Sequence, residues 1–407
     1  MIRLAKTLAL AMLTSLPGVG VAAEAVYQLD IGPKPQRHEI RTLSVDQIVE
    51  SKSNEVISPA ELASRLAGAR IVLVGEEHTN MDFHEAQLRL IRALHDAGRA
   101  VIIGLEMFPY EDQPVLNEWV DGVYTELGFV DKSDWYYRWG YHWNYYREIF
   151  LLAKQRGMPM KGLNAPRPVI TQLRKQGRDA LTEEQARHLP ASIDTDSSDH
   201  LKLFKSYFDA DDPIHAGMTE AQWQGMFQAQ CAWDAVMGFN ALRALEDAPD
   251  NAVVVVLVGA GHVVYGQGIA RQIANWSDVS VATVAPVPAA NSHGEPIEQV
   301  QASYGDFLWG LPATQPPRYP VLGTATIDAK PSGLTIIDMD SRSAAARAGL
   351  RVGDRITALD STEIRNRRDM NLAMASYRWG DLIEVGVQRE DNNLTLPLAL
   401  TRASMDP

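Results

Sequence analysis

The sequence predicts an α/β protein, a mainly parallel sheet flanked by helices, followed by a small, partly open β-barrel domain. Three observations carry this. Runs of apolar, mostly β-branched residues recur at Ile71–Val74, Ala100–Phe108 and Ala252–Val258, as in strands buried on both faces. Helix-period segments lie between and after them on short connections, the βαβ arrangement of a parallel sheet. From Leu311 the composition turns proline-rich, and short strands, one small helix and glycine turns follow.

In chain order, "QLDIGPKPQRH" reads as an extended opening segment and "SPAELASRLAGA" as a capped helix, before the strand at Ile71–Val74. In "DFHEAQLRLIRALHDAG", Phe83, Ala86, Leu90 and Leu94 step by three or four, and Gly98 is the stop. Thr79 followed by Asp82 resembles an N-terminal capping box. Residues 110–250 read as mainly helical after the strand "AVIIGLEMF". "AVVVVLV" then restores a strand, "GIARQIANW" starts a helix and "VSVATVAPV" is a further strand. The expected organisation is a leader at 1–23, an α/β domain at 24–310, a linker at 311–319 and a terminal domain at 320–403.

A chain of 407 residues suits two domains, and an apolar content of 46% can build a sizeable core without disulfides. The lone Cys231 excludes an internal bridge and a CxxC site and reads as a buried, inert thiol. A formal charge of −13 argues against nucleic acid or an anionic membrane surface as partner, and it permits a homodimer. At the N-terminus, Arg3 and Lys6 precede the apolar run Leu8–Leu16 and the small residues Val21–Ala25. That is the order of a secretory leader cleaved after Ala23 or Ala25, and the run is too short for a transmembrane helix. No cysteine lies there to carry a lipid. The expectation is an exported, soluble, periplasmic protein with no transmembrane segment.

The terminal segment "SGLTIIDMDSRSAAARAGLRVGDRITALDSTEI" resembles a PDZ domain through Ser343-Ala344-Ala345, Ala348-Gly349-Leu350 and Gly353-Asp354 before Ile356. PDZ domains take an extended peptide as an added strand, often with its C-terminal carboxylate on backbone amides. The resemblance places that loop at "SGLTI", with Gly333, Leu334, Thr335 and Ile336 contacting the peptide.

In the α/β part, "IVLVGEEH" and "VVVVLVGAGH" both run from strand into Gly-x-x-His, delivering His78 and His262. Residues just past the carboxyl ends of parallel strands converge on the ligand crevice, so two such turns could serve one pocket. Glu76, inside the first turn, and Glu106, near the end of the second strand, add carboxylates that would be costly to bury unpartnered. Imidazole and carboxylate suit a divalent metal or an acid–base pair, so Glu76, His78, Glu106 and His262 are candidate catalytic residues. His78, Glu106 and His262 are the candidate metal ligands.

"LVGEEHTNMDFHEAQLRLIRAL", "IGLEMFPYEDQPVLNEWVDG", "WGYHWNYYREIFLLAKQRGMPMKGLNAPR", "AQCAWDAVMGFN" and "VVVLVGAGHVVYGQGIARQI" follow one another as in ChaN-like proteins. These are the bacterial branch of the haem-binding-uptake, Tiki-like superfamily, and the resemblance spans about 60–310. It implies an α/β fold and an exported protein of haem or iron acquisition. The superfamily also holds metal-dependent peptidases and erythromycin esterase-like hydrolases that use the same strand-end His and Glu positions. The motif positions fall on Gly75, Glu76, His78, Asn80, His84 and Gln87, then Glu106, then Asn164 and Arg167. They continue at Gln230 and Asp234, whose i, i+4 spacing shares one helix face, and at Gly259, Gly261 and His262. Two departures stand out: many relatives are lipoproteins, which this chain lacks the cysteine to be, and the PDZ extension lies outside the minimal pattern.

One cysteine rules out c-type haem attachment, so haem would need an axial Tyr, His or Met and an apolar slot. "WYYRWGYHWNYYR", Trp135–Arg147, offers eight aromatics, His142 and two arginines, and Tyr265 is a competing ligand. The leading expectation is haem or iron binding. The alternative is a metal-dependent hydrolase or peptidase in the same His/Glu pocket, or a metal-free variant with a histidine base. The absence of a G-x-S-x-G elbow argues against a serine hydrolase. A third reading is a non-catalytic adaptor that presents the PDZ domain.

Overall fold

The β-branched runs form the strands they predict, and the remainder of the sheet is built from short segments. The computed structural model describes residues 26–208, 218–290, 296–313 and 318–402, so the expected leader and residues 314–317 of the expected linker lie outside the described residues. The α/β part contains β1 (Ile40–Thr42), β2 (Ile48–Glu50), β3 (Glu55–Ile57), β4 (Ile71–Glu76), β5 (Ala100–Pro109), β6 (Met160–Asn164), β7 (Ala252–Gly259), β8 (Val281–Pro288), β9 (Gln299–Gln301) and β10 (Phe307–Leu311). Eight of these form one sheet in the order β3-β2-β10-β8-β4-β7-β5-β6, while β1 pairs with β9. The pairs β10–β8, β8–β4, β4–β7 and β7–β5 are parallel, and β2 joins β10 and β3 antiparallel at one edge.

The central strands read as continuous apolar runs because helices cover them. Leu73, Val254, Val256 and Val258 pack in one cluster with Met237 and Ala241 of the Glu220–Arg243 helix and with Ile269 and Ile273 of the Ile269–Ala274 helix. A second cluster joins Val49, Ala285, Val287 and Leu308 to Val26, Tyr27, Ile31 and Tyr304. Sequence reasoning passed over β6, whose "MKGLN" has no alternation and contains a glycine. That glycine is required: a Cβ on Gly162 would lie 2.5 Å from the Pro109 carbonyl oxygen. The helix after β4, Met81–Asp96, is capped by Asn80, whose Oδ1 accepts the Asp82 N–H at 3.1 Å, rather than by the expected Thr79.

The compact units do not follow the chain. Among the described residues the first holds 26–77, 85–111 and 161–313, and the second holds 78–84, 112–160 and 318–402. Aromatic packing accounts for the second unit's composition. Trp119, Phe129, Trp135, Trp143 and Phe150 form a buried ring cluster. Beside it, His142 stacks on Tyr319 at 3.8 Å, and Tyr145 meets the same ring edge-on. Much of the aromatic stretch is therefore core, whereas Tyr137 is 74% exposed.

The C-terminal part contains β11 (Thr324–Asp328), β12 (Leu334–Met339), β13 (Arg355–Leu359), β14 (Thr362–Glu363), β15 (Leu382–Arg389) and β16 (Asn392–Ala399). The sheet order is β11-β12-β13-β15-β16, with β14 on β13 and every pairing antiparallel. Leu334, Ile336, Ala345, Ile356, Val385 and Leu398 form its core. Among the described residues no helix is long and apolar enough to cross a membrane.

Candidate functional site

In the first unit the carboxyl ends of β5 and β7 and the Glu220–Arg243 helix converge on His262. The Gly-x-x-His turn begins at Gly259, whose N–H donates to Glu106 Oε2 at 2.8 Å. Glu106 Oε1 lies 3.6 Å from His262 Nε2. On the other side of the ring, Nδ1 donates to Asp234 Oδ1 at 2.5 Å, and the Gln230 amide lies 3.0 Å from the same nitrogen. Asp234 and Gln230, one turn apart on the helix, therefore meet the same ring nitrogen, and Trp233 crosses the ring edge-on at 5.5 Å. Trp233 Nε1 donates to Asn164 Oδ1, and Asn164 Nδ2 donates to the Glu106 carbonyl oxygen. Gly268 lets the next helix start against the turn, because a Cβ there would sit 2.2 Å from the His262 carbonyl oxygen.

A deeper tier lies behind Asp234, and sequence reasoning missed it. His200 Nε2 is 3.6 Å from Asp234 Oδ2, an oxygen without a hydrogen-bond partner among the described residues. His200 Nδ1 accepts from Arg271 Nη2 at 3.1 Å, and Arg271 is ion-paired with Asp194. No local pattern marks His200 or Arg271; only the fold brings them to Asp234. Cys231 is buried, with its sulfur 3.7 Å from His200 Nδ1.

The charges follow from this geometry. Burial pushes His262 down, but the Asp234 carboxylate, with Glu106 beyond it, holds the imidazole above its ordinary value. Burial pushes Asp234 up, opposed by His262 and Arg271. His200 is pushed down to about 3, first by burial and then by Arg271 and His262, so it is neutral. Burial, then Asp234, pushes the Cys231 thiol up. His262 can thus hold a proton at Nε2, facing the Glu106 carboxylate, while Asp234 fixes the ring.

The other expected residues lie apart from this network. Glu76 is buried and accepts from Gln87 Nε2 at 2.8 Å. Tyr265 is buried in the hydrophobic cluster around Tyr27, its hydroxyl donating to the Val26 carbonyl oxygen and accepting from the Leu29 N–H. Those backbone partners occupy the Tyr265 hydroxyl, so the expectation that it competes as a haem ligand is not supported. Arg167 is exposed at the start of the Arg167–Gln176 helix.

His78 belongs to the second unit. Its ring meets Trp139 edge-on at 4.8 Å and Tyr141 at 4.9 Å. His84 donates from Nε2 to the His78 carbonyl oxygen at 3.2 Å and packs on Tyr145 and Tyr146, so it holds the turn. Asn80 caps the following helix, and its neighbour Asp82 is paired with Arg318 at 2.5 Å. Trp139 Nε1 is buried and has no acceptor among the described residues. No group of three or more His, Cys, Asp and Glu side chains among the described residues is placed to hold a metal ion. The expected set of His78, Glu106 and His262 is therefore not supported as a metal centre.

The peptide-binding residues require a correction. β12, which begins at Leu334, is paired with β11 on one side and β13 on the other, leaving no edge for an added strand at Leu334, Thr335 or Ile336. The Gly333 N–H donates to the Arg365 carbonyl oxygen at 2.8 Å. The edge strands of this sheet are β11 and β16, and β11 is the one that follows a glycine turn. Immediately before it, the N–H groups of Leu322 and Gly323 have no acceptor among the described residues.

The family described as "Haem-binding uptake, Tiki superfamily, ChaN" matches residues 62–273, more than half of the chain. The chain belongs to the ChaN family. The match encloses the whole His262 network and the His78 turn. A PDZ domain matches residues 320–400. Among solved structures, that reported as cofacial heme binding to ChaN of Campylobacter jejuni is 16% identical, with a TM-score of 0.52, over 64% of this chain and 95% of that one. This likeness speaks to the fold. The HtrA3 PDZ domain bound to a phage-derived ligand is 17% identical, with a TM-score of 0.18, over 20% of this chain and 83% of that one. Among curated proteins, Protein RETICULATA-RELATED 5, chloroplastic, of Arabidopsis thaliana is 24% identical over 60% of this chain. The chain spans 34% of that relative's length.

Proposed function

We propose that this ChaN-family protein binds haem through His78, within an exported pathway of haem or iron acquisition, and takes a peptide at its PDZ edge. The carrying observation is the environment of His78, a half-buried imidazole flanked by Trp139 and Tyr141 with the Trp139 N–H uncommitted among the described residues. These residues fit haem: an imidazole for the iron, apolar rings for the porphyrin face and a donor for a propionate. Bound haem would supply redox or ligand chemistry; His78, Trp139 and Tyr141 would hold it and exclude water. His262 fits an axial role poorly, because Glu106 Oε1 stands 3.6 Å from Nε2 and the neighbouring carboxylates favour the protonated ring, which cannot bind iron.

The test is a hemin titration of the full chain followed at the Soret band. A saturable shift is expected in the wild type and in His262→Ala, and its loss in His78→Ala. No shift in the wild type sinks the haem reading; a shift indifferent to His78 moves the ligand elsewhere. Export is tested by recovering the chain from periplasm and reading its N-terminus, which is expected to begin just after Ala23 or Ala25.

The His262 network favours a second reading, metal-free acid–base hydrolysis. With Asp234 orienting the ring and Glu106 beside Nε2, His262 could shuttle a proton to a leaving group. Chelator-resistant ester or peptide turnover that disappears in Glu106→Gln would support it, and the absence of turnover across a broad ester and peptide panel would oppose it.

The peptide site is the open edge of β11, between that strand and the Arg367–Ser376 helix. A C-terminal carboxylate would sit on the Leu322 and Gly323 N–H groups, and the peptide would run antiparallel to β11.

A further inference from the structure

We infer that the peptide taken at the β11 edge carries an acidic side chain at the third residue from its carboxyl end, where Arg367 meets it. The inference rests on the reading of that edge as the peptide site.

The sequence "EIRNRRD" places Arg365, Arg367 and Arg368 together at the start of one helix, and the structure uses them differently. Arg365 is paired with Asp369 at 2.9 Å, and Arg368 with Asp131 at 2.9 Å and Asp134 at 3.4 Å. Arg367 has no carboxylate partner for its guanidinium among the described residues. Its Nη2 donates instead to the Thr326 carbonyl oxygen at 2.6 Å. β12 covers only one side of β11, so this bond marks the Thr326 carbonyl as a group of the open edge. Edge strands expose unpaired backbone groups that invite another chain, and here an arginine occupies one of them.

An added strand brings its own N–H to the Thr326 carbonyl, and Arg367 must then share or release it. A carboxylate on the incoming chain gives the guanidinium a charge-assisted partner in place of a neutral one. A lysine would be repelled, and an apolar residue would leave the guanidinium without a partner. Arg367 is also the first residue of the Arg367–Ser376 helix, whose N-terminal dipole favours negative charge. Two acids face this region. Asp369 is spent on Arg365, and Asp328 Oδ1 accepts the Arg367 backbone N–H at 3.1 Å. The position follows from the register. A carboxylate on the Leu322 and Gly323 amides sets the last residue opposite Thr324 and the third from last opposite Thr326.

The experiment begins with an array of short peptides with free carboxyl ends, screened against the full chain. The best binder is then remade with Glu, Gln or Lys at the third-from-last position, and each version is titrated by fluorescence anisotropy. Glu is expected to bind about two- to fivefold more tightly than Gln, the scale of an exposed ion pair, with Lys weakest. Arg367→Glu should reverse the order, and Arg367→Gln should abolish it. Binding indifferent to that residue's charge overturns the inference while leaving the edge reading intact. A Glu preference that persists in Arg367→Glu overturns it too, by assigning the preference to another group. If no peptide binds, or if amidated ends bind as well as free ones, the underlying edge reading fails.

Discussion

Replacing Asp234 by Asn should destabilise the first unit strongly at pH 6 and much less at pH 9. Asp234 is fully buried, and its Oδ1 holds the His262 Nδ1 at 2.5 Å. Asparagine keeps the shape and removes the charge that the imidazolium needs. Taking one partner from a buried ion pair costs about 3–5 kcal/mol. The cost applies only while His262 is protonated. The His262 pKa is held above its ordinary value, so its contribution to stability is full below the unfolded value of about 6.5 and is lost as pH rises through the folded value. Above that point the wild type retains a buried carboxylate beside a neutral ring, and Asn is the cheaper occupant. Hydrogen exchange in peptides covering β7 and the Glu220–Arg243 helix measures this locally, which a two-unit protein requires. At pH 6, exchange should accelerate in the variant by about two to three and a half orders of magnitude, since each 1.4 kcal/mol is tenfold. A difference between wild type and variant that is independent of pH, or larger at pH 9, would refute the reasoning.

Three other perturbations follow from the same packing. Gly162→Ala forces a Cβ to within 2.5 Å of the Pro109 carbonyl oxygen and should cost about 1–3 kcal/mol, read as a lowered midpoint for exchange in β5 and β6. Gly268→Ala places a methyl 2.2 Å from the His262 carbonyl oxygen, so it should shift the His262 imidazole resonance as well as lower stability. A stability loss with that resonance unmoved would show that the turn tolerates displacement of the helix. Arg389→Ala removes two bonds, 2.7 and 2.8 Å, to the buried Asp354 carboxylate and leaves it the Arg351 N–H at 2.9 Å. Burial pushes Asp354 up, but Arg389 and the Arg351 N–H more than offset that, so its stabilisation is present above the ordinary carboxylate range and lost as pH falls through the folded value. The PDZ part should therefore unfold earlier in the variant at pH 7, with the difference shrinking below about pH 4.

The sequence speaks clearly where one chemical cause acts alone. Strands β4, β5, β7 and β8 are visible because they are buried along most of their length, so their apolar runs are uninterrupted. Strands β2, β3 and β6 escape notice because each is only three to five residues long, too short for an alternation to show, and β3 and β6 stand at the two edges of the sheet. The Gln230–Asp234 pair is legible through the family resemblance, its i, i+4 spacing puts both on one helix face, and both residues do meet the His262 ring. His200 and Arg271 carry no such mark, since they reach Asp234 from separate helices. The capping residue was misplaced by one position because Thr79 and Asn80 are both competent caps, and only the backbone decides between them.

The displaced peptide loop shows why strand order carries function that residue patterns do not. Both Gly323 and Gly333 have positive φ, and both stand just before a strand, so either could present amides to a carboxylate. The "SGLTI" sequence at 332–336 is the more apolar of the two and reads as the stronger strand. That same apolarity follows from its place inside the sheet: Leu334 and Ile336 are fully buried, while Ile327 of β11 is 50% exposed. An interior strand is apolar because both its edges and one face are covered, whereas a strand that accepts a partner must keep an edge open and so reads as weaker. In a sheet with one ligand edge, the less hydrophobic glycine–strand junction is therefore the better candidate, and here that is Gly323 with Thr324–Asp328.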